Sequence, residues 1–439
     1  MLSSSSFSQM APHFDLLKFC GPASTAGHDS IEVAHGRRVR VRPVIAVPAQ
    51  FTNSQRKDTL VAAELAGLED TRLVTEPAAA LVAIAMGRVI PCPDGRYMIA
   101  GLGNGTFDCA VADIQTEKGD GGAKKIITLV ATAGNNRLGG ANLTDIVENM
   151  LINQLADKVE SQVLEELRQS NDLRKTAESA KKHLRSEPPY RCTLVKQCVV
   201  IRGDEFLVQA KDVFDRNKEI VRKLREEPVV RGAKIRKCFL GGAASFTHGF
   251  RDVVADIASV DVLLSPDPKA CVAEGAAYVS AGAAELAETL PRSIGIAAQT
   301  PELRLDIIPK RNSQYPAIGS QEYTTTQGQP VVSRDCHLRG RRFYAGTQCP
   351  LGYDIDGLTP LPKGQLTMKS MKVGKSGVLT VTAEEVRGSQ QENAAHRELK
   401  VTETGNVTPR QRPKLEEQYH KFFGYGERPN QPLTKRPKI

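Results

Sequence analysis

The residues of this chain whose types and spacing could do chemistry are small or acidic rather than nucleophilic. In IAGLGNGTFDCAV (99–111), Gly103, Gly105, Thr106 and Asp108 form a short glycine turn between the apolar runs Tyr97–Ala100 and Cys109–Val111. A turn with so little side-chain bulk lets backbone N–H groups and the Thr106 hydroxyl approach an anion such as phosphate. No Gly-Lys-Ser/Thr follows and no helix begins there, so it is not a Walker-type loop. Alone, it reads as an ordinary glycine hairpin. Three further turns sit at strand ends or helix starts: Leu138-Gly139-Gly140, Gly241-Gly242, and Ser265-Pro266-Asp267. Such turns let phosphates or a nucleoside reach the backbone. His183 and His248 have no paired carboxylate or cysteine, and Cys109 and Cys271 read as small core residues, so no base or nucleophile is assigned.

Alternating strand and helix patterns surround these turns. Val39–Val47 reads as a strand, followed by a helix over Ser54–Ala66 capped at Thr52 or Asn53 and stopped at Gly67. A short strand, Leu73-Val74, leads to Glu76 and to Pro77 at the start of an apolar helix, Ala78–Met86. Ile126–Thr132 reads as a strand. One long amphipathic helix is expected with Leu143, Val147, Leu151, Leu155, Val159 and Leu167 on its apolar face. A second helix spans Asp172–Leu184. Cys192–Val200 and Glu205–Val208 are expected as two strands turned at Arg202-Gly203-Asp204. A helix at Lys211–Arg225, a strand at Ile235–Leu240, and helices at Val253–Ile257 and Ala270–Ala283 complete an α/β region. After Leu290 the helical period disappears, and short strands such as Leu303–Ile308, Glu322–Thr326, Val331–His337, Leu366–Lys372 and Val378–Thr382 predict a small all-β unit. Ala283–Leu290 is the expected linker.

Composition narrows the classes. A chain of 439 residues has room for two or three folded units. It contains no apolar run of membrane-spanning length and opens without a secretory signal pattern. Nine cysteines without a CxxC pair fit reduced thiols in a cytoplasmic or nuclear setting, and no metal site is expected from them. The net charge of +9 is concentrated at the end: Pro409–Ile439 holds eight Lys/Arg against three Glu. That is a property of a tail, and no aromatic stacking motif accompanies it, which argues against a nucleic-acid partner.

The order of the turns, together with VIAVPAQFTNSQRKDTLVAAELAGL (44–68) and VTEPAAALVAIAMG (74–87), closely resembles the seventy-kilodalton heat-shock chaperones. The resemblance covers about residues 37–402. It implies an actin-like ATPase fold, incomplete here, followed by a small β-sandwich and a basic tail. The implied division is an irregular leader at 1–36, a partial nucleotide-binding domain at 37–284, a linker at 285–295, a peptide-binding-like β domain at 296–402, and a tail at 403–439. It implies ATP or ADP with magnesium as ligand, and unfolded or nascent polypeptides, with co-chaperones, as partners in protein folding and the stress response. Gly103, Asn104, Gly105 and Thr106 fall on the family's second phosphate hairpin, and Gly139 and Gly140 on a turn beside the phosphates. Glu76 falls on the carboxylate that places the metal-bound phosphate and the attacking water. Glu178, Lys181, Lys182 and Arg185 fall on the helix face that holds the nucleoside, Gly241, Gly242 and Ser245 on the turn beneath it, and Asp267 beside it. Ile296, Tyr323, Thr326 and Ser333 fall on peptide-pocket positions.

The departures carry expectations of their own. Residues 1–36 contain no counterpart of the family's first phosphate hairpin, and no helical lid pattern follows the β unit. Gly101 stands where the family has a metal-assisting Asp, Asn104 replaces a glycine, Arg185 a serine, and Ser245 an arginine that stacks on the base. Impaired ATP hydrolysis is the expected consequence. The competing expectation is a non-hydrolysing co-chaperone or scaffold. In the β unit, Asp335 and His337 fall at positions that are apolar in the family, so a different register or an unformed pocket is expected there.

Overall fold

The computed structural model describes residues 42–291 apart from 67, 69, 88, 120, 121 and 186, and then 295–299, 303–307, 310–324, 352–356, 366–387 and 395–404. The expected leader, the tail beyond Thr404, the strand expected at Val331–His337, and Thr326, Ser333, Asp335 and His337 lie outside the described residues. The described chain divides into two compact units, one of residues 46–50 and 74–291, the other of the described residues among 42–45, 51–73 and 295–404.

Strand β1 (Val44–Val47) pairs with β2 (Arg72–Thr75), and helix α1 (Asn53–Leu65) lies between them in sequence. Thr52 caps α1: its side chain accepts the Gln55 N–H, while the Gln55 side chain accepts the Thr52 N–H. Helix α2 (Glu76–Met86) follows β2 directly and is buried along nearly its whole length. Pro77 suits the first turn, where its missing N–H is not needed.

The core of the larger unit is a mixed sheet. Strands β3 (Gly95–Leu102), β4 (Phe107–Gly119) and β5 (Gly122–Asn135) form an antiparallel meander. Helices α3 (Gly140–Leu155), α4 (Ser161–Gln169) and α5 (Asn171–His183) follow. The hairpin β6 (Tyr190–Leu194) and β7 (Gln197–Ile201) leads to α6 (Gly203–Gln209) and α7 (Lys211–Glu226). Then come β8 (Ile235–Gly241), α8 (Phe250–Ala258), β9 (Val262–Leu264), α9 (Cys271–Ser280) and β10 (Ala284–Ala287). The sheet order is β10-β5-β4-β3-β8-β9, with β10, β8 and β9 parallel to their neighbours.

The sheet is covered on both faces, as parallel pairing through crossover helices requires. On one face Met98, Ala100 and Leu102 of β3 and Phe107, Cys109 and Val111 of β4 pack with α3, α5, α7 and α8. The other face carries α2 and α9, which cross so closely that a Cβ on Gly275 would strike the Ala79 backbone.

Three expectations about local structure are corrected. The long helix is two helices: α3 ends at Leu155 and α4 starts at Ser161, so Val159 and Leu167 do not continue the stripe of α3. The second β hairpin turns at Val195-Lys196, not at Arg202–Asp204, and Glu205–Val208 is helical. Ala284–Ala287, expected within the linker, is an edge strand of the central sheet, paired with Lys125–Thr128. The Val195-Lys196 turn has a measurable consequence. Both residues have φ in the left-handed region, +47° and +62°, as a two-residue turn of this hand requires, yet neither is Gly or Asn and Val195 is β-branched. Replacing the pair by Asn-Gly (V195N/K196G) is expected to raise stability by about 1 kcal/mol, read as an upward shift of the thermal midpoint.

In the other unit, β11 (Gly295–Gln299) pairs with β12 (Leu303–Ile307). A five-stranded antiparallel sheet follows, built from β13 (Ala317–Thr324), β14 (Gly352–Asp356), β15 (Leu366–Val373), β16 (Leu379–Arg387) and β17 (Ala395–Thr404) in the order β13-β15-β16-β17-β14. The β15–β16 turn is bonded to the α1 region. Asn53 Oδ1 accepts the Leu379 N–H at 2.7 Å, Ser376 Oγ accepts the Leu73 N–H at 3.2 Å, and Arg56 donates to the Ser376 carbonyl at 3.2 Å.

Candidate functional site

Three of the glycine turns read from the sequence converge at one end of the central sheet. The loop 103–106 joins β3 to β4, closed by the Gly103 N–H donating to the Thr106 carbonyl at 2.9 Å. The start of α3 is fastened to it: the Gly140 N–H donates to the Gly103 carbonyl at 2.8 Å and the Ala141 N–H to the Asn104 carbonyl at 2.7 Å. Two of the donors that a helix start leaves unsatisfied are thereby used on the hairpin itself. Gly139 has no room for a Cβ against the backbone of Asn104 and Gly105, whereas a Cβ at Gly105 would meet nothing within 4 Å. The turn is therefore pinned on its α3 side and open on the other.

The third turn, Gly241-Gly242, follows β8, which lies beside β3 with Gly241 level with Gly101. Gly242 has φ +85°, and a Cβ there would lie 2.7 Å from the Leu102 carbonyl carbon. Both facts demand glycine. Gly242→Ala is expected to cost about 2–4 kcal/mol through backbone strain and overpacking, measured as a lower urea midpoint, and to displace the 103–106 loop with it.

Between these turns lies a cavity of about 40 Å³ lined by Glu76, Ala80, Gly101, Gly103, Asp108 and Gly242, among others. That is space for about three waters, enough for phosphate oxygens and their hydration but not for a nucleoside. Asp108 is buried and directly opposite Gly101 in the β3–β4 register, so the two positions face the same side of the sheet. The sequence places Asp108 in the glycine turn but assigns it no role, because an acid between Phe107 and Cys109 looks like one more alternating strand residue. The signal available was its pairing with Gly101 across a four-residue loop.

Glu76 approaches the same cavity from the first position of α2. Burial pushes its carboxyl up from the ordinary 4.5 to about 7. A helix N-terminus favours a carboxylate by only about 0.3–1 kcal/mol, so here desolvation wins. The residue before it, Thr75, does not cap the helix with its side chain. Instead its N–H and its hydroxyl both donate to Glu288 Oε1, at 2.8 and 2.6 Å, and Glu288 is buried just beyond β10.

The residues read as nucleoside contacts take varied positions. Lys181 is only 7% exposed; its Nζ donates to the Gly140 carbonyl at 2.8 Å and the Thr144 hydroxyl at 2.6 Å. Burial pulls its ammonium below the usual range. The Ser245 hydroxyl is buried and donates to the Gly241 carbonyl. Asp267 is exposed, and its Oδ1 accepts the N–H groups of Lys269 and Ala270 at 2.9 and 3.1 Å, ahead of α9. Glu178 is half-buried; Lys182 and Arg185 are exposed at and just beyond the end of α5. Gly203 sits against both the Arg185 carbonyl and the His248 ring, which brings the end of α5 and the chain after Gly242 to one place. Of the peptide-pocket positions, Ile296 pairs with Asp306 in β11–β12, and Tyr323 with Thr367 in β13–β15.

Among the described residues no group of three or more His, Cys, Asp or Glu is arranged to hold a metal, and no helix is long and apolar enough to cross a membrane. Two carboxylates facing a glycine-lined pocket are nevertheless the hard-oxygen donors that magnesium takes alongside phosphate oxygens. Glu76 and Asp108 fit that role.

The family model described as Hsp70 protein matches residues 29–423. The chain belongs to the Hsp70 family. Its mixed sheet with helices on both faces agrees with the actin-like ATPase fold of that family. The chaperone protein DnaK of Mycoplasma mycoides subsp. mycoides SC is 26% identical over 396 residues, which cover 86% of this chain and 64% of that relative. The chain thus spans under two thirds of the length of the curated Hsp70 it matches. Hsp70 proteins bind ATP with magnesium, and unfolded polypeptides.

Proposed function

We propose that this chain is a nucleotide-binding chaperone of the Hsp70 class, with ATP turnover impaired by Gly101. The observation that carries the reading is that Gly103 of the 103–106 loop, to which the Gly139-Gly140 turn is fastened, lines one small cavity together with Gly241-Gly242, Glu76 and Asp108. The open side of the loop receives the phosphates, and Glu76 and Asp108 hold the magnesium, which when bound neutralises phosphate charge. With its pKa near 7, Glu76 can both hold and release a proton at neutral pH. Asp108 fixes one side of the cation site. Gly101, directly across from it, offers no oxygen where the family has an acid. Missing charge-positioning groups of this kind cost about 100- to 1000-fold in rate.

The partners that follow from the reading are unfolded or nascent polypeptides at the β-strand unit, with co-chaperones, in the cytoplasm or nucleus. A second reading, a non-hydrolysing scaffold, is favoured by the same Gly101 and differs in predicting no turnover at all. Isothermal titration of the chain with Mg-ADP and Mg-ATP, followed by a phosphate-release assay, tests both. Binding with slow release supports the first reading, binding without release the second, and no binding at high-micromolar nucleotide overturns the nucleotide site.

A further inference from the structure

Asn104-Gly105 is the one Asn-Gly pair in the chain, and it stands in the middle of the 103–106 loop. Asn before Gly is the pair most prone to react with itself, because a following residue without a Cβ lets its backbone nitrogen reach the Asn side chain. Both residues are exposed, and among the described residues none bonds the Gly105 N–H or the Asn104 side-chain amide. The Asn104 carbonyl, by contrast, is held by the Ala141 N–H at 2.7 Å, in the first turn of α3. A donor at a helix start favours negative charge on the oxygen it meets. The Gly105 nitrogen shares that amide, so it becomes easier to deprotonate. The loop leaves nucleophile and target free while it activates the bond between them. Asn53-Ser54 is the opposite case: Asn53 is buried and its Oδ1 accepts the Leu379 N–H.

We propose that Asn104-Gly105 is a self-modifying site, which converts to isoaspartate with water as its only co-reactant and so places a carboxylate on the loop whose Gly103 lines the cavity. The Gly105 nitrogen gives its proton to solvent and attacks the Asn104 side-chain carbonyl carbon. The N–Cγ bond forms, the Cγ–Nδ2 bond breaks, and ammonia leaves with that proton, closing a succinimide ring. Water then adds to one of the two ring carbonyls. The main-chain carbonyl is the one polarised by the Ala141 N–H, so its bond to the Gly105 nitrogen breaks and isoaspartate exceeds aspartate. One water is consumed and one ammonia released. The new carboxylate stays beside the α3 N-terminus, where negative charge is favoured. Its effect on ligands rests on the nucleotide reading above. A phosphate approaching the open side of the loop meets a like charge, and a phosphate already bound covers Asn104. The empty site therefore ages, and the filled site is preserved.

Trypsin cleavage after Arg96 and Lys118 releases residues 97–118, in which Asn104 is the one Asn. In the full chain aged in mildly alkaline buffer, this peptide is expected to gain one mass unit at Asn104, with isoaspartate in excess by fragment spectra. Gly105→Ala is the control, because a Cβ there meets nothing within 4 Å and Gly105 does not have positive φ. It should age at least about tenfold more slowly. Asn104 ageing no faster than Asn53, or as fast in Gly105→Ala as in the wild type, overturns the site. Aspartate in excess overturns the role given to the Ala141 N–H. In calorimetry, aged chain and Asn104→Asp are expected to bind Mg-ADP about tenfold more weakly than fresh chain, and saturating Mg-ADP should slow the ageing. If fresh chain binds Mg-ADP and neither effect is seen, the coupling to ligand is overturned while the site stands. If fresh chain binds no nucleotide, the nucleotide reading falls, and the mass change still decides the self-modification.

Discussion

Replacing Gly101 by Asp is expected to raise phosphate release from Mg-ATP at least about tenfold and to make the stability of the chain depend on magnesium. The position accepts the change sterically: a Cβ there would meet only the Asp108 carbonyl oxygen at 3.5 Å and the Gly241 carbonyl oxygen at 3.9 Å, and Gly101 does not have positive φ. The new carboxylate would stand directly across the β3–β4 pair from Asp108, with Glu76 lining the same cavity. Like charges placed opposite one another on neighbouring strands repel. Without a divalent cation the variant should therefore melt below the wild type. A cation that binds only the folded form restores stability by mass action, so millimolar magnesium should recover the difference. Gly101→Asn, of the same size but uncharged, is the control and should show no magnesium-dependent recovery. A Gly101→Asp midpoint that is indifferent to magnesium would refute a cation site at Glu76 and Asp108.

Glu76→Gln is expected to flatten the pH dependence of stability between about pH 4.5 and 7. The folded chain holds the Glu76 proton more tightly than the unfolded chain does, because burial raises the carboxyl to about 7. Between those pH values the folded state binds more protons, so stability falls as pH rises and levels off above about 7. A displacement of this size corresponds to about 3 kcal/mol, lost from the wild type across that window and not from the Gln variant. Urea unfolding from pH 4.5 to 8 measures it directly. Ligand binding gives an independent readout. A magnesium ion beside Glu76 favours the charged form, so Mg-ADP binding near pH 6.5 should release about three quarters of a proton from the wild type and none from Glu76→Gln. Titration calorimetry in two buffers of different ionisation heat counts that proton.

What could be read from the sequence was what glycine, proline and capping residues fix locally. The loop 103–106, the paired glycines at 139–140 and 241–242, the Thr52 cap and the Glu76-Pro77 helix start all stand where their residue types required them. The misses share a cause: the deciding interaction was remote or had no local marker. Phe206, Leu207 and Val208 form an apolar run that suits strand or helix equally, and the true hairpin turn carries Val195-Lys196 in place of the Asn-Gly that would have announced it. No Gly or Pro marks the break between α3 and α4. Ala284–Ala287 is helix-favouring in composition and becomes a strand only because β5 offers an edge. The resemblance singles out Lys181 and Ser245 as nucleoside contacts, but the direction of their polar atoms depends on Gly140, Thr144 and Gly241, which are distant in sequence from Lys181 or act through backbone oxygens.

The bond between Glu288 and Thr75 gives this chain a built-in clock. Glu288 is held where it is by the pairing of Ala284–Ala287 with β5, and it receives the Thr75 amide one residue before Glu76. In heavy water that amide can exchange its hydrogen only when Glu288 withdraws. The exchange rate of the single Thr75 amide therefore reports how readily the Glu288 carboxylate leaves it. The same rate, followed with and without bound nucleotide, registers whether filling the cavity at Glu76 slows or hastens that departure.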